Sequence, residues 1–295
     1  MKKWITALSL ILIVEIVVVG ALIYRHETNL PKEVEIETSQ KIISHVKKNT
    51  PKTKQVNNLK LPIDQWTDNE NKAPFPILMY HSFEKSDDGN TLKIDPAEFE
   101  EQMRWLKDND YYTLNTDEAI TVLKINKVPS NKIIWLTFDD GYLNNFTQAF
   151  PILQKYQLSA TINFITSKLG SSSYFNLEQM NEMKTSQLVD IQSHTVSHLD
   201  LNTLSDDQIK TELADSKKWL DEKLAQDTKL LCYPAGRYDE RVKRIANEVG
   251  YELAITTEPG LASSQADPFA LKRVRMEPGL NYEGFGNLIK QLTQN

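Results

Sequence analysis

The sequence predicts a parallel α/β fold, and three observations predict it. Short apolar runs rich in β-branched and aromatic residues recur along residues 73–295. Segments with apolar residues at helical spacing separate them. Residue types suited to chemistry fall directly after the runs, where an α/β fold presents the carboxyl ends of its strands. Seven or eight such runs favour a barrel over an open sheet, but spacing alone leaves both open. At 40% hydrophobic and 25% charged, the chain has the composition of a folded domain, and 295 residues allow one large domain or two small ones. A net charge of −6 with no aromatic-interleaved basic patch gives no sign of a nucleic-acid partner.

Taken in order, residues 1–24 come first. Lys2 and Lys3 precede an apolar run of 21 residues, 4–24. As a helix this run spans about 31 Å, the thickness of a bilayer core. Glu15 within it costs roughly 2.5–3.5 kcal/mol on insertion scales, which its Leu, Ile and Val neighbours offset. The expectation is a single-pass membrane anchor with the lysines inside and the rest of the chain outside. Val19-Gly20-Ala21 also fits a cleaved signal peptide, which would make the protein secreted. Residues 25–72 are polar and glycine-free, with an Asn-Thr-Pro-Lys-Thr-Lys linker at 49–54, and read as an extracellular stalk. His26 and His45 lie there and read as solvated.

The globular part, 73–295, opens with a strand at 76–81 that ends on His81. Asp95-Pro96-Ala97-Glu98 starts a helix: a cap, a first-turn proline and a capping-box acid. Strand 111–114 and a helix from Thr116 follow. The central run, 133–138, stops at Asp139, Asp140 and Gly141. A helix is expected over 142–156, disturbed by Pro151. Strands at 160–165 and 188–193 flank a helix near 177–183, and the second strand leads into His194-Thr195-Val196-Ser197-His198. A long helix opens near Ser205. Strand 229–233 ends in Pro234-Ala235-Gly236. A helix at 239–249, strands at 251–256 and 271–276, and a helix at 282–292 complete the chain.

Two adjacent acids repel each other unless a bound cation divides their roles, one ligating and the other free as a base. Two histidines four apart can share a helical face or converge from a tight loop onto one metal. All three histidines of the globular part follow an apolar strand. One carboxylate and two imidazoles form a three-ligand set with open positions, suited to Zn²⁺, with Co²⁺, Ni²⁺ or Mn²⁺ as alternatives. The single cysteine, Cys232, rules out an intrachain disulfide and reads as a buried, inert thiol.

Thr137-Phe138-Asp139-Asp140-Gly141 together with His194-Thr195-Val196-Ser197-His198 resembles the first two motifs of the polysaccharide deacetylases, carbohydrate esterase family 4. Tyr233-Pro234-Ala235-Gly236 is similar to the third, which lines one wall of the groove. The resemblance implies an irregular (β/α) barrel. It implies Asp139 as general base and Asp140, His194 and His198 as ligands of a divalent metal. It implies the Ala235 N–H as an oxyanion donor, with Tyr233, Pro234 and Tyr238 along the groove. Most relatives carry a late histidine as general acid, whereas no histidine follows His198 here. Leu78-Met79-Tyr80-His81 is similar to an early motif of the biofilm poly-N-acetylglucosamine deacetylases, which implies His81 in that role. The arginine that orients the base in the third motif is absent. Lys229 stands near its position, and Arg273 and Arg275 are the candidate substitutes, with surface or ion-pair roles for both as the alternative.

The implied function is removal of N-acetyl groups from an extracellular glycan, peptidoglycan or an exopolysaccharide. An O-acetyl xylan-type esterase and a non-catalytic glycan-binding module are the alternatives. The expected partners are the glycan polymer and, through the amino-terminal helix, the membrane, with no nucleic acid; oligomeric state stays open.

Overall fold

The computed structural model describes residues 61–293. The expected anchor, residues 25–60 of the expected stalk, His26 and His45 lie outside the described residues. Among the described residues, no helix is long and apolar enough to cross a membrane.

Eight strands carry the fold: β1 (Ile77–Tyr80), β2 (Tyr112–Thr113), β3 (Ile133–Phe138), β4 (Ala160–Phe164), β5 (Val189–Ser193), β6 (Leu230–Cys232), β7 (Leu253–Pro259) and β8 (Leu271–Arg275). Seven form a ring in the order β1-β8-β7-β6-β5-β4-β3, and β3 closes it on β1. Every pairing in the ring is parallel. The two-residue β2 pairs with Ile133 and Ile134 at the lower end of β3. It lies on the edge away from β1: Leu114 donates to the Ile134 carbonyl, whereas Trp135 donates to that of Pro76. The fold is a closed seven-stranded parallel barrel with one auxiliary strand.

Side-chain alternation explains the continuous burial of β3, because both faces of a barrel strand are covered. One parity points outward: Leu78, Tyr80, Ile134, Leu136, Phe138, Ile162 and Phe164 pack in the cluster beneath the helices. The other points inward, and Ile77, Trp135, Leu230, Leu253, Ile255 and Leu271 fill the lower barrel. Trp66 and Phe75 join this lower cluster. Residues 61–72, read as stalk from their composition, therefore belong to the globular body at Trp66, and Thr67–Asp68 pairs antiparallel with Lys127–Val128.

The helices are α1 (Pro96–Asp108), α2 (Thr116–Ile125), α3 (Phe150–Tyr156), α4 (Leu177–Thr185), α5 (Asp206–Leu224), α6 (Glu240–Val249) and α7 (Tyr282–Thr293). Asn115, Asn176 and Ser205 close capping boxes with Glu118, Gln179 and Gln208. The helix expected over 142–156 differs. Asn145–Ala149 is a π-helical turn, and α3 begins only at Phe150. Pro151 lacks an N–H, and its ring would clash with the carbonyl four residues earlier, so a wider turn relieves the conflict. Asn145 of this turn and Asn144 just before it tie back to the segment after β1: Asn145 donates to the His81 carbonyl (2.7 Å) and Asn144 to Ser82 Oγ (2.8 Å).

Helix α7 seats Gly286 against the indole of Trp105 on α1. A Cβ there would stand 2.2 Å from the indole nitrogen. Gly286→Ala should therefore destabilise the chain by about 1–3 kcal/mol through overpacking. Urea unfolding checks this, and Gly284→Ala on the same helix is the control, since its nearest heavy neighbour would be at 3.4 Å.

Candidate active site

Parity builds the site. Asp139 continues the inward series Ile133, Trp135, Thr137, and His81, Asn163, His194 and Arg273 fall on inward parity of β1, β4, β5 and β8. All five converge above the apolar plug. Asp140 has the opposite parity. Its left-handed backbone (φ 72°) breaks the strand, and its Oδ1 reaches within 3.5 Å of His194 Nε2 and 3.7 Å of His198 Nε2. Gly141 completes the turn at φ 86°, where a Cβ would stand 2.2 Å from the Phe164 ring.

The two histidines converge from a tight loop rather than a helix face. Thr195 and His198 are left-handed at φ 64° and 57°. Such conformations cost of order 1–3 kcal/mol each and persist only where the surroundings over-determine them. Here Glu212 of α5 accepts the N–H groups of Val196 (3.0 Å) and Ser197 (2.8 Å), and Thr195 Oγ1 accepts that of His198 (3.1 Å).

The donor set fits a divalent ion. The three ligand atoms of Asp140, His194 and His198 lie within 4.8 Å of one another. Ligands at 2.0–2.1 Å from a tetrahedral ion stand about 3.4 Å apart, close to the observed separations. His194 Nδ1 is 2.8 Å from the Cys232 carbonyl, which fixes its proton there and leaves the Nε2 lone pair toward Asp140. A second cluster, Asp139, His194 and Cys232, is equally compact but already committed. Asp139 is bound by Arg273, His194 spends Nδ1 on a carbonyl, and Cys232 Sγ receives Arg273 Nη2 at 3.4 Å. Burial pushes the Cys232 thiol well up, as expected of an inert cysteine.

Asp139 is buried and doubly paired. Arg273 donates from Nη1 to Oδ1 (2.9 Å) and from Nη2 to Oδ2 (2.7 Å), and Asn163 donates to Oδ1 (2.8 Å). Burial pushes the carboxyl up, but Arg273, with His81 and His194, outweighs it and holds Asp139 well below the usual carboxylate range. His81 Nε2 is 3.8 Å from Asp139 Oδ2. Burial pulls this imidazole below its ordinary value, against the charges of Asp139 and Asp140.

Several expected residues lie elsewhere. Arg275 ends β8 at the surface, bonded to Thr91 and near Glu277, and does not orient Asp139. Lys229 immediately precedes β6, at the opposite end of that strand, and pairs with Asp117. Tyr233 and Pro234 are buried rather than open to a groove: the parity that points Leu230 and Cys232 inward turns Tyr233 outward, with its hydroxyl on the Phe269 carbonyl. Ala235 is exposed, left-handed at φ 51°. Tyr238 is half-buried, stacked on Tyr233 at 4.7 Å, with its hydroxyl on Glu258. Sequence reasoning missed Asn163, Asn145 and Glu212. An asparagine on inward parity of an apolar strand was the available signal for Asn163.

A polysaccharide deacetylase family model matches residues 126–254. YxkH of Bacillus subtilis, provisionally named a polysaccharide deacetylase, is 42% identical over 246 residues, 83% of this chain and 87% of its own. The poly-β-1,6-N-acetyl-D-glucosamine N-deacetylase of Staphylococcus aureus is 25% identical over 233 residues, 75% of this chain and 79% of its own. Among solved structures, the Streptococcus pyogenes deacetylase PplD in complex with acetate is similar at TM-score 0.71 and 37% identity, covering 76% of this chain and 99% of that one.

Removing one member of the Arg273–Asp139 pair leaves an uncompensated buried charge. Arg273→Met should cost about 3–5 kcal/mol in denaturant unfolding, and Arg273→Met combined with Asp139→Asn clearly less. Equal costs for the single and double variants would contradict the pairing.

Proposed function

We propose that this chain, which belongs to the polysaccharide deacetylase family, hydrolyses N-acetyl groups on an extracellular polymer containing N-acetylglucosamine. The observation that carries this reading is the placing of one ionised, cation-paired carboxylate beside a separate carboxylate–imidazole set. The two acids thus have different environments and different roles.

Asp140, His194 and His198 would hold the divalent ion, Zn²⁺ by the preference of this donor set. Bound there, it would polarise the acetamide carbonyl and lower the pKa of nearby water. Asp139 is the general base. Arg273 and Asn163 fix its orientation and keep it ionised, so its proton affinity is low and the reaction depends on water made more acidic. The exposed, left-handed Ala235 supplies its N–H to the developing oxyanion. His81 is the general acid, delivering a proton to the departing amine. It faces the same carboxylate oxygen that Arg273 Nη2 binds, so proton uptake and release occur on one side of the site.

Similarity to a poly-β-1,6-N-acetyl-D-glucosamine deacetylase favours an exopolysaccharide substrate. Deacetylation would convert neutral acetamides into ammonium groups and make the polymer cationic. The apolar run at 4–24 with its basic flank supports an enzyme anchored in the cell membrane with its catalytic domain outside.

Acetate release from N-acetylglucosamine oligomers tests the reading. Release should require Zn²⁺ or Co²⁺, stop on chelation, and disappear in Asp139→Asn. Release from O-acetylated xylan alone would instead mark an esterase.

The role of His81 has a sharper test. An amine is a poor leaving group and needs a proton, whereas a phenolate does not. His81→Ala should lower N-acetyl hydrolysis by about 10²–10⁴-fold and hydrolysis of an aryl acetate far less. Equal losses on both substrates would contradict the assignment.

A further inference from the structure

A cleft of about 400 Å³ opens where β1 and β3 end. Ligand pockets begin at about 300 Å³, so the volume suits one ring of a polymer rather than several. The cleft adjoins the catalytic constellation through the chain itself: Ser82 follows His81, and Tyr142 follows Asp140 and Gly141. Tyr142 pairs by its backbone with Tyr174, and the two rings stack at 5.2 Å, so this wall is preformed.

The chemistry of the lining is that of a neutral polyol site. Ser82, Asn144, Thr147 and Ser173 offer hydroxyl and amide groups, and Tyr142 and Leu92 offer apolar surface. Asn144 donates to Ser82 Oγ at 2.8 Å, a bond that leaves the serine proton free to be donated. The one ammonium, Lys93, is held by Glu84 (3.1 Å) and Asp88 (2.8 Å). Two carboxylates around one ammonium leave an excess of negative charge, so no uncommitted cation among the lining residues awaits an anionic sugar.

Building on the deacetylase reading, we propose that this cleft is a subsite for an uncharged hexosamine ring next to the residue being deacetylated. It favours a neutral N-acetylglucosamine homopolymer over a strand whose sugars carry carboxylates. The ring seats against Tyr142, and its hydroxyls exchange hydrogen bonds with Ser82, Asn144 and Ser173. Register on the polymer is then set beside the metal ligands, so occupancy of this subsite governs binding of oligomers and matters little for an isolated acetyl group.

The test compares an N-acetylglucosamine tetramer with an aryl acetate on the full chain. Ser173 is exposed at the rim, so Ser173→Trp fills the cleft without touching the core. It should raise KM for the tetramer at least about tenfold, about 1.4 kcal/mol, with little change in kcat. The ratio of kcat/KM for tetramer to that for aryl acetate should fall equally. Asn144→Ala should move the ratio in the same direction. In the wild type, a tetramer bearing lactyl carboxylates should be used at least about tenfold less well than the neutral one. An unchanged ratio in folded Ser173→Trp, or equal use of the carboxylated tetramer, overturns the subsite while leaving the deacetylase reading intact. A wild type that releases no acetate from any N-acetylated glycan removes both.

Discussion

The upper barrel is organised by one buried guanidinium. Arg273 has five N–H donors, and all five find acceptors: the Thr256 carbonyl (2.6 Å), Thr137 Oγ1 (3.1 Å), both oxygens of Asp139 (2.9 and 2.7 Å) and Cys232 Sγ (3.4 Å). Burying two ions costs several kcal/mol each, and Coulomb attraction offsets that only when geometry and hydrogen bonding are complete. Those contacts reach from β8 to β3, β6 and β7. The requirement to satisfy Arg273 therefore fixes the spacing of four strands and the orientation of Asp139. The Cys232 carbonyl, one residue feature away from that sulfur, orients His194. Asp139, through Arg273, and His194 are coupled through the same cysteine.

Above this rigid layer, the chain leaves regular structure at the points where ligands must turn. Asp140, Thr195, His198 and Ala235 are left-handed without being glycine. A β-branched residue such as Thr195 is a true outlier there. The strain persists because Glu212, Thr195 Oγ1 and the strand ends hold the loops from several directions. A divalent ion held by Asp140, His194 and His198 would thus meet side chains already positioned.

Much of this was legible in the sequence. Strand parity alone puts His81, Asp139 and His194 on the axis, and the motifs name Asp140 and His198. Arg273 was one of two candidates. Inward parity does not separate it from Arg275, which shares that parity and still pairs with Met79; burial does, since Arg273 is enclosed and Arg275 is exposed where β8 ends. The roles of Glu212 and Asn145 were not legible, because each acts on backbone groups of a distant segment and leaves no local pattern. The π-helical turn was legible only as a disturbance at Pro151; where the chain would absorb it depended on the tie from Asn145 to His81. Tyr233 was misread because motif adjacency suggested a groove, whereas parity sends it outward.

Ring closure explains how the first strand can serve a site built mainly by later ones. In an open sheet β1 would have one neighbour near the site. In the barrel it pairs with both β3 and β8, which carry Asp139 and Arg273. The residue at its carboxyl end therefore stands over the ion pair, and His81 lies 3.8 Å from Asp139 Oδ2. Asn145 then anchors the His81 carbonyl to the turn that follows Asp140. A proton donor at this position needs no contribution from the carboxyl-terminal segment, so the lack of a late histidine is compatible with a complete site. Closure, more than any single motif, makes the first strand's histidine and the last strand's arginine neighbours of one carboxylate.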